Sequence, residues 1–477
     1  VTAMQDRETV FFGTHSYRHD SASLSSQRCI NAYVEQQPRD ARTAVAVIGS
    51  PGLDEFANVG TGPIRGGLQM NDVAYFVSGS ELWEVDANGD GVLRGTGITG
   101  LNPISMDGDG FEIVITTGLA GFSYLLADQT FQQITDPDFE IGNTVVVINS
   151  LFAFDWAGTN KFTLSDILDG RSYSGDFASA ESNPDFVKAV RNRNGVLLVF
   201  GAKTIEPWDH TGATDFPFSR SRGNTVDRGI AAPLAITSAN QAEWFLGNDM
   251  VFYQMAGLSL RRVSTSALEI EWRKYASTSD AYCFPASING HVFVHLVFPL
   301  ESKCFAYDLT TDRWHERMTF DASGAEIKWR GSCAIECYGK TLVGDSLSGR
   351  IGVFDPQIYT EFNAPMVTKL VSAPIWHNNR NIGIPLLEVD LETGVGLTSG
   401  QGSDPQLMLE ISTDGGKTWH SEQLWSTISK KGEYDMLTVG YDRLGTARHW
   451  TFRLTISDPV KRVFHGARTP GRELGVQ

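Results

Sequence analysis

The sequence has 477 residues, with 39 Lys and Arg against 56 Asp and Glu and a formal net charge of −17 at pH 7. Because non-specific DNA binding depends on cationic side chains that release condensed counterions, this charge argues against a protein that grips DNA. No apolar run approaches the roughly 18 to 20 residues that cross a bilayer, so we expect no membrane insertion. The length suits either two domains or one large repeat architecture.

Residues 1–72 are predicted to form an N-terminal arm and entry strands. The first seven residues lack the basic start and apolar centre of a secretory signal, so we expect synthesis in a cytoplasm. His15 and His19 would share one face of a helix, but nothing nearby completes a set of metal ligands. We therefore expect both histidines to be structural or surface groups.

Seven short apolar segments recur along the chain at intervals of 37 to 49 residues. Each is typical of a strand, a tight turn and a second strand, and the spacing matches the roughly 40 to 50 residues of a four-stranded propeller blade. The segments begin at Ala74, Phe111, Leu151, Val196, Glu243, His291 and Lys340. The sequence therefore predicts an all-β, propeller-like fold over residues 73–360, with about seven units and with six or eight as alternatives. Trp83, Trp208 and Trp314 are expected to pack between blades.

Two motifs within this range resemble functional sequences but are better explained as turns. Residues 86–91, Asp-Ala-Asn-Gly-Asp-Gly, resemble the first half of a calcium loop, in which oxygen ligands alternate along the chain. Position twelve of that loop would be Gly97 rather than Glu, so we prefer a hairpin turn and keep calcium as the alternative.

The second motif, Gly344-Asp345-Ser346-Leu347, spells the signature of the GDSL hydrolases, and Asp312 and His315 spell the Asp-x-x-His that accompanies it. In that family the serine precedes the Asp/His block and lies in an α/β domain, whereas here the block precedes the serine among strands. We therefore predict a turn, no catalytic residue and no enzyme.

The cysteines and the remaining histidines give no metal or cofactor site. The chain has an odd number of cysteines, thinly spread, and we expect free buried thiols at Cys29, Cys283, Cys304, Cys333 and Cys337. Cys333 and Cys337 lack a second cluster that would complete a zinc site. His291 and His295 lie on a predicted strand, where four residues span about 13 Å and cannot chelate one ion.

Residues 361–477 are predicted to form a C-terminal β-region, with strands at 384–391, 407–412 and 450–457 and a Gly/Ser-rich loop at 393–406. The region is either a separate small sandwich or an addition to the propeller. This region contains an Asp-box, Ser-x-Asp-x-Gly-x-x-Trp, formed by Ser412, Asp414, Gly416 and Trp419. The Asp414 carboxylate is expected to accept backbone N–H groups, the glycines to permit positive φ, and Trp419 to pack beneath the turn. We interpret the box as a structural hairpin.

The Asp-box also occurs in sialidases and other propeller glycosidases, which keeps a second function class open. Glycosidases of that kind need a carboxylate pair or a tyrosine nucleophile, and no such set can be assembled around the box. A carbohydrate-binding or glycoside-acting propeller is therefore the alternative hypothesis. A rise in melting temperature with an oligosaccharide would favour it.

A series of short landmarks spans nearly the whole chain in order and resembles one protein family. The landmarks are Arg28 to Tyr33, Pro51-Gly52-Leu53, Gly60 to Gly66, Phe216-Pro217-Phe218, Trp314 to Arg317, Val343-Gly344-Asp345, Leu444-Gly445 and Ser457-Asp458-Pro459. The series resembles the tail hub, or nozzle, proteins of short-tailed bacteriophages, also called packaged-DNA stabilisation proteins. The chain departs from the pattern at Gly67, where the family resemblance implies a larger apolar residue.

The resemblance implies a structural virion protein and offers no catalytic residues or cofactor. It implies a homo-oligomeric ring, hexameric in the family, that docks in the virion tail below the portal and adaptor and carries a tail needle, tailspikes or fibres. Such a ring would extend and help close the DNA exit channel, with double-stranded DNA passing through its lumen without sequence-specific binding. An acidic wall suits that task because like charge prevents adhesion.

Overall fold

The computed structural model of the chain describes residues 8–10, 12–21, 24–38, 40–41, 43–180, 185–214, 216–376, 380–420, 423–435, 438–469 and 472–473. Their regular secondary structure is β-strand apart from one short α-helix at Ser266–Trp272. Among the residues that the structure describes, no helix combines the length and the hydropathy needed to cross a membrane.

The predicted propeller is confirmed, and the described residues form seven antiparallel four-stranded units, which we number as blades 1 to 7. Blades 1 to 5 are separate sheets, whereas blades 6 and 7 are parts of larger sheets. Blade 1 comprises Ile64–Met70, Val73–Ser78, Glu81–Val85 and Gly91–Thr96. Blade 2 comprises Ser105–Gly108, Glu112–Thr116, Gly121–Leu125 and Thr130–Gln133. Blade 3 comprises Val145–Ile148, Leu151–Asp155, Lys161–Leu164 and Phe177–Ser179. Blade 4 comprises Val187–Arg193, Val196–Gly201, Ile205–His210 and Phe218–Arg220. Blade 5 comprises Ile236–Ala239, Ala242–Leu246, Phe252–Ala256 and Ser259–Arg262.

Blades 6 and 7 complete the ring. Blade 6 comprises Tyr282–Ile288, His291–Phe298, Lys303–Asp308 and Arg313–Glu316, and blade 7 comprises Gly331–Cys337, Lys340–Asp345, Arg350–Asp355 and Gly52–Asn58. The fourth strand of blade 7 thus comes from the N-terminal part of the chain, so one sheet joins the two ends of the propeller. Glu361 extends this sheet by pairing in parallel with Leu53, in a short strand Thr360–Glu361 that also pairs with Ala364–Pro365. A separate hairpin, Met318–Phe320 with Glu326–Lys328, lies between blades 6 and 7 in the chain.

Large aromatic side chains fill the spaces between adjacent blades. Trp314 of blade 6 is 2% exposed, its ring centroid lies 5.4 Å from that of Phe252 in blade 5, and its Nε1 donates to the Val263 carbonyl at 2.9 Å. Trp208 of blade 4 contacts Phe162 of blade 3 edge-on at 4.9 Å. Such edge-to-face pairs add to the stabilisation that area burial gives.

The same close packing explains the glycine at position 67. A Cβ atom on Gly67 would lie 2.7 Å from the ring of Phe76 in the neighbouring strand of blade 1. A larger apolar residue at that position would displace Phe76, which is fully buried.

The N-terminal and C-terminal parts of the chain together form a β-sandwich beside blade 6. Its first sheet comprises Ala32–Gln36, Val45–Gly49, Val463–Thr469, Ile382–Leu391 and Thr438–Ala447, with Glu8–Val10 and Arg472–Glu473 at its edges. Its second sheet comprises Ser26–Ile30, Thr368–Val371, His449–Ile456, Gln406–Ser412 and Leu424–Thr427, with Tyr17–Arg18 and Ile375–Trp376. Apolar residues from both sheets form one buried core.

The second sandwich sheet continues into the propeller, because Ile30 pairs in parallel with Glu316 of blade 6. Strand pairing therefore joins the expected ranges 1–72 and 73–360 in two places, here and in blade 7. Whether the ranges 1–72, 73–360 and 361–477 fold as separate units stays a prediction.

Candidate functional site

The first strands of the blades surround a narrow cavity on the propeller axis. First strands of six blades line a space of about 200 Å³, with Arg65, Ser105, Arg191, Ile236, Tyr282 and Ser332 among the lining residues. Arg191 also donates to the Ile236 carbonyl at 2.9 Å and so links blade 4 to blade 5. The cavity has room for a few water molecules of about 30 Å³ each. It does not admit a DNA duplex, whose major groove alone is about 12 Å wide.

At one end of the axis this cavity opens into a wider mouth of about 620 Å³. Leu101 and Leu300 line the mouth and are 70% and 71% exposed. Arg65 lies deeper and is buried, where its guanidinium donates to the carbonyls of Gly79, Thr99 and Asn102 at 2.7–2.9 Å. Burial lowers the pKa of Arg65 to about 10, so the side chain stays charged at neutral pH and fixes the loop around the mouth.

Ser346 of the GDSL-like motif lies in this mouth, but its surroundings are those of a turn. Lys328 Nζ donates to Ser346 Oγ at 2.6 Å, and burial lowers the pKa of Lys328. The backbone N–H groups of Ser346 and Leu347 are already bound, to the Arg330 carbonyl at 2.7 Å and to Asp345 Oδ1 at 3.0 Å. Neither N–H group is therefore available to stabilise an oxyanion, as acyl transfer requires.

The other two residues of that motif belong to blade 6 and have different neighbours. Asp312 accepts hydrogen bonds from Tyr307 at 2.6 Å and Arg261 at 3.1 Å. His315 is buried, and burial holds its pKa well below the usual range, so the ring is neutral. In the described part of the chain, no contact joins Ser346 to Asp312 or His315.

The calcium-like segment forms a closed turn between the last two strands of blade 1. Asp86 Oδ1 accepts the backbone N–H groups of Asn88 and Asp90 at 2.8 and 2.9 Å. These hydrogen bonds lower the pKa of Asp86. Among the described residues, no group of three or more His, Cys, Asp or Glu side chains is placed to hold a metal ion.

His15 and His19 flank a short strand and do not share one face of a helix. Tyr17–Arg18 is a short strand paired with Ser26–Ile30, and the rings of both histidines flank Tyr17 at centroid distances of 5.9 and 6.5 Å. The four-residue spacing of the two histidines does not produce a helix, because the segment between them pairs with a neighbouring strand at the edge of a sheet.

The five cysteines are free thiols, as expected. Cys29, Cys304 and Cys337 are buried, whereas Cys283 and Cys333 are partly exposed. Cys333 and Cys337 lie four residues apart on one strand of blade 7, and the Cys337 thiol faces the Asp72 carbonyl at 3.8 Å.

A charged triad connects the sandwich to blade 6, and we call Glu35, His291 and Asp308 the latch. His291 Nε2 lies 2.7 Å from Glu35 of the first sandwich sheet, and its Nδ1 lies 2.8 Å from Asp308 of blade 6. Asp308 is fully buried and also accepts from the Thr311 hydroxyl at 2.7 Å. The ring of Tyr33 packs edge-on against His291 at 4.9 Å.

The two carboxylates favour the protonated form of His291. Burial would lower its pKa, but the hydrogen bonds to Asp308 and Glu35 outweigh that effect and raise the pKa above 6.5. A neutral ring would direct one bare nitrogen towards a carboxylate, which is repulsive. Because the pKa is raised in the folded state, this stabilisation is complete below about pH 6.5 and is lost as the pH rises through the raised value.

Between about pH 6 and pH 8, we expect the free energy of unfolding of the wild type to fall by about 1 kcal/mol more than that of His291→Gln. The expected difference is small because Glu35 is partly exposed and solvent screens its charge. Urea unfolding at a series of pH values measures this difference. The exposed residue His210 provides the control, and His210→Gln should keep the wild-type pH dependence. Equal pH dependence in the wild type and His291→Gln would contradict a protonated latch.

The Asp-box forms a hairpin turn at the end of strand Gln406–Ser412. Asp414 Oδ1 accepts the N–H groups of Lys417 and Thr418 at 2.9 Å, and the Thr418 hydroxyl donates to Oδ2 at 2.5 Å. These hydrogen bonds hold the pKa of Asp414 well below its usual range. The Gly416 N–H donates to Ser412 Oγ at 2.8 Å, and Gly415 and Gly416 have φ of 82° and 85°. The Asp414 carboxylate is thus fully used within its own turn.

Trp419 of the box packs on a neighbouring strand rather than beneath the turn alone. The guanidinium of Arg453 lies over its ring at 4.2 Å from the centroid. Sequence reasoning missed Arg453, because it is distant in the chain and only the pairing of Gln406–Ser412 with His449–Ile456 brings it close.

Comparison with known proteins identifies one family. A family model described as bacteriophage P22 Gp10, beta-propeller, matches residues 12–359, which include the whole propeller and its closing strand. No curated protein matches the sequence.

Three solved structures are similar to parts of this chain at low sequence identity. The extracellular domain of a putative hybrid two-component system from B. thetaiotaomicron is 11% identical with a TM-score of 0.43, and the match covers 64% of this chain and 40% of that one. A streptogramin B lyase is 10% identical with a TM-score of 0.41, covering 64% and 97%. The N-terminal domain of Nup159 is 10% identical with a TM-score of 0.40, covering 69% and 99%. These similarities are too low to bear on function.

Proposed function

Because the chain belongs to the family of the bacteriophage P22 Gp10 β-propeller proteins, which are structural components of the virion that stabilise packaged DNA, we propose that it is a tail hub. In this role it forms a ring below the portal and adaptor, extends the DNA exit channel and helps to retain the packaged genome. The observation that carries the proposal is the family match over residues 12–359, which spans the propeller and its closing strand. The family's structural role implies a protein that is not an enzyme.

In this proposal the DNA passes between copies of the protein, because the axial cavity of one propeller is too small for a duplex. A space of about 200 Å³ on the axis cannot pass a duplex. The channel in this proposal is therefore the central opening of a ring of propellers, and a ring of about six copies is the arrangement we favour. The net charge of −17 suits such a wall, because an acidic lumen does not hold the phosphate backbone.

The mouth of the propeller supplies a surface that suits burial in an assembly. Leu101, Leu119 and Leu300 are each more than 60% exposed near this end of the axis. Exposed apolar side chains grouped at one end favour contact with another protein. In the proposal this end faces the adaptor or a neighbouring copy, and the needle, tailspikes or fibres attach at the distal side.

DNA-filled heads that carry portal and adaptor but lack this protein test the retention role. We expect purified protein to slow the loss of DNA from such heads, measured as nuclease-sensitive DNA over time. Heat-unfolded protein is the control and should have no effect. Equal leakage with folded and unfolded protein would contradict retention.

A further inference from the structure

A small basic pocket lies on the second sandwich sheet, beside the Asp-box turn. It has a volume of about 220 Å³. Five cationic side chains line it: Arg18, Arg28, Lys369, Lys417 and Arg453. We call it the basic pocket. Such a convergence is unexpected in a chain whose net charge is −17.

Three of these cations are compensated by carboxylates. Arg28 pairs with Glu316 and with Glu326, the latter at 3.0 Å, and Lys369 pairs with Glu326 at 2.9 Å. Arg453 Nε donates to Glu410 at 2.6 Å. Three carboxylates therefore balance three cations, and these ion pairs hold the walls of the pocket in place.

The other two cations carry the uncompensated charge. Neither Arg18 nor Lys417 makes an ion pair with any residue in the part of the chain that the structure describes. Both residues are exposed, so they are accessible from solution. The pocket thus presents two positive charges that no described carboxylate neutralises.

A buried serine lies in the wall of the same pocket. Ser26 lines it and is only 6% exposed, yet its Oγ has no hydrogen-bond partner among the described residues. Buried polar groups in folded proteins are normally paired, so an unpaired hydroxyl beside two free cations indicates a ligand that accepts hydrogen bonds. The ring of Trp419, fixed against Arg453, gives the pocket a rigid apolar side.

The size and chemistry of the pocket favour a carboxylate over a nucleic acid. A duplex is held by an extended array of cations, whereas this site is a compact cavity on an acidic protein. Arg28 already binds a carboxylate in the pocket wall through two nitrogens, at 3.0 Å from Nε and 2.5 Å from Nη2. We propose that the basic pocket binds an acidic peptide segment, whose Asp or Glu carboxylate lies between Arg18 and Lys417 and accepts the Ser26 hydroxyl.

Calorimetric titration of the full chain with a hexaglutamate peptide, in roughly 20 mM salt where screening is weak, tests this proposal. We expect binding to the wild type and a rise in Kd of about tenfold or more in Lys417→Glu and in Arg18→Glu. Ser26→Ala should weaken binding by a smaller factor. Lys431→Glu is the matched control, because Lys431 is an exposed lysine of the same sandwich outside the pocket.

Three results would overturn the proposal. They are an absence of hexaglutamate binding to the wild type, equal weakening in Lys417→Glu and Lys431→Glu, and stronger binding of inorganic phosphate than of the peptide. Unchanged melting temperatures of the variants establish that a loss of binding comes from the pocket and not from unfolding. The proposed tail-hub role does not depend on this outcome, because it rests on the family match and not on the pocket.

Discussion

Replacing Arg330 by methionine should lower the free energy of unfolding by about 3–5 kcal/mol, the usual cost of removing one partner of a buried ion pair. Arg330 donates to both oxygens of Asp345, at 3.0 Å from Nε and 2.6 Å from Nη2. Asp345 is fully buried at the end of a strand of blade 7. Without the guanidinium its carboxylate would lack a counter-charge in the interior. Urea unfolding measures the change.

Arg350 in the same blade is the matched control. Both arginines lie over the ring of Phe362, at 4.7 Å for Arg330 and 5.7 Å for Arg350. Arg350 pairs with Glu55 at 3.2 Å, but these side chains are 39% and 46% exposed. Arg350→Met should therefore cost less than about 1 kcal/mol. Equal losses in the two variants would contradict the assignment of Arg330 and Asp345 as a structural pair of the interior.

The second large effect concerns the strand that closes the propeller. Leu53 is 1% exposed and lies opposite Phe354 in the pairing that completes blade 7. We expect Leu53→Ala to lower the free energy of unfolding by about 2–5 kcal/mol, because truncating a buried leucine loses transfer energy and leaves a cavity. Thermal and urea unfolding both report this loss.

Leu93 provides the comparison for the closing strand. It also lies in the outermost strand of a blade, but it is 44% exposed. Leu93→Ala should change the stability by no more than about 0.5 kcal/mol. If Leu53→Ala proved as stable as Leu93→Ala, Gly52–Asn58 would not be part of the propeller core.

The repeat could be predicted because each blade has one mostly apolar strand that is almost entirely buried. The predicted segments at Ala74, Leu151, Val196 and Lys340 coincide with the second strands of their blades, which are buried on both faces. The turn at Asp414 was equally readable, since all of its hydrogen bonds lie within the motif. Local information suffices in both cases.

The closing strand and the N-terminal strands of the sandwich could not be predicted for the opposite reason. Gly52–Asn58 pairs with a strand about 300 residues away, and nothing in its own sequence specifies that partner. The basic pocket is formed in the same way, because Arg18 and Lys417 come together only when Ser26–Ile30 pairs with Thr368–Val371. The residue pattern of one strand indicates which of its faces is buried, but it does not specify which strand pairs with it.

The assembly state tests the central claim most directly. The measurement is the mass of the purified protein by light scattering, alone and mixed with portal–adaptor particles of its phage, followed by negative-stain imaging. We predict a ring of about six copies, formed either in solution or on the particle. A protein that stays monomeric and does not bind the particles would contradict the tail-hub assignment.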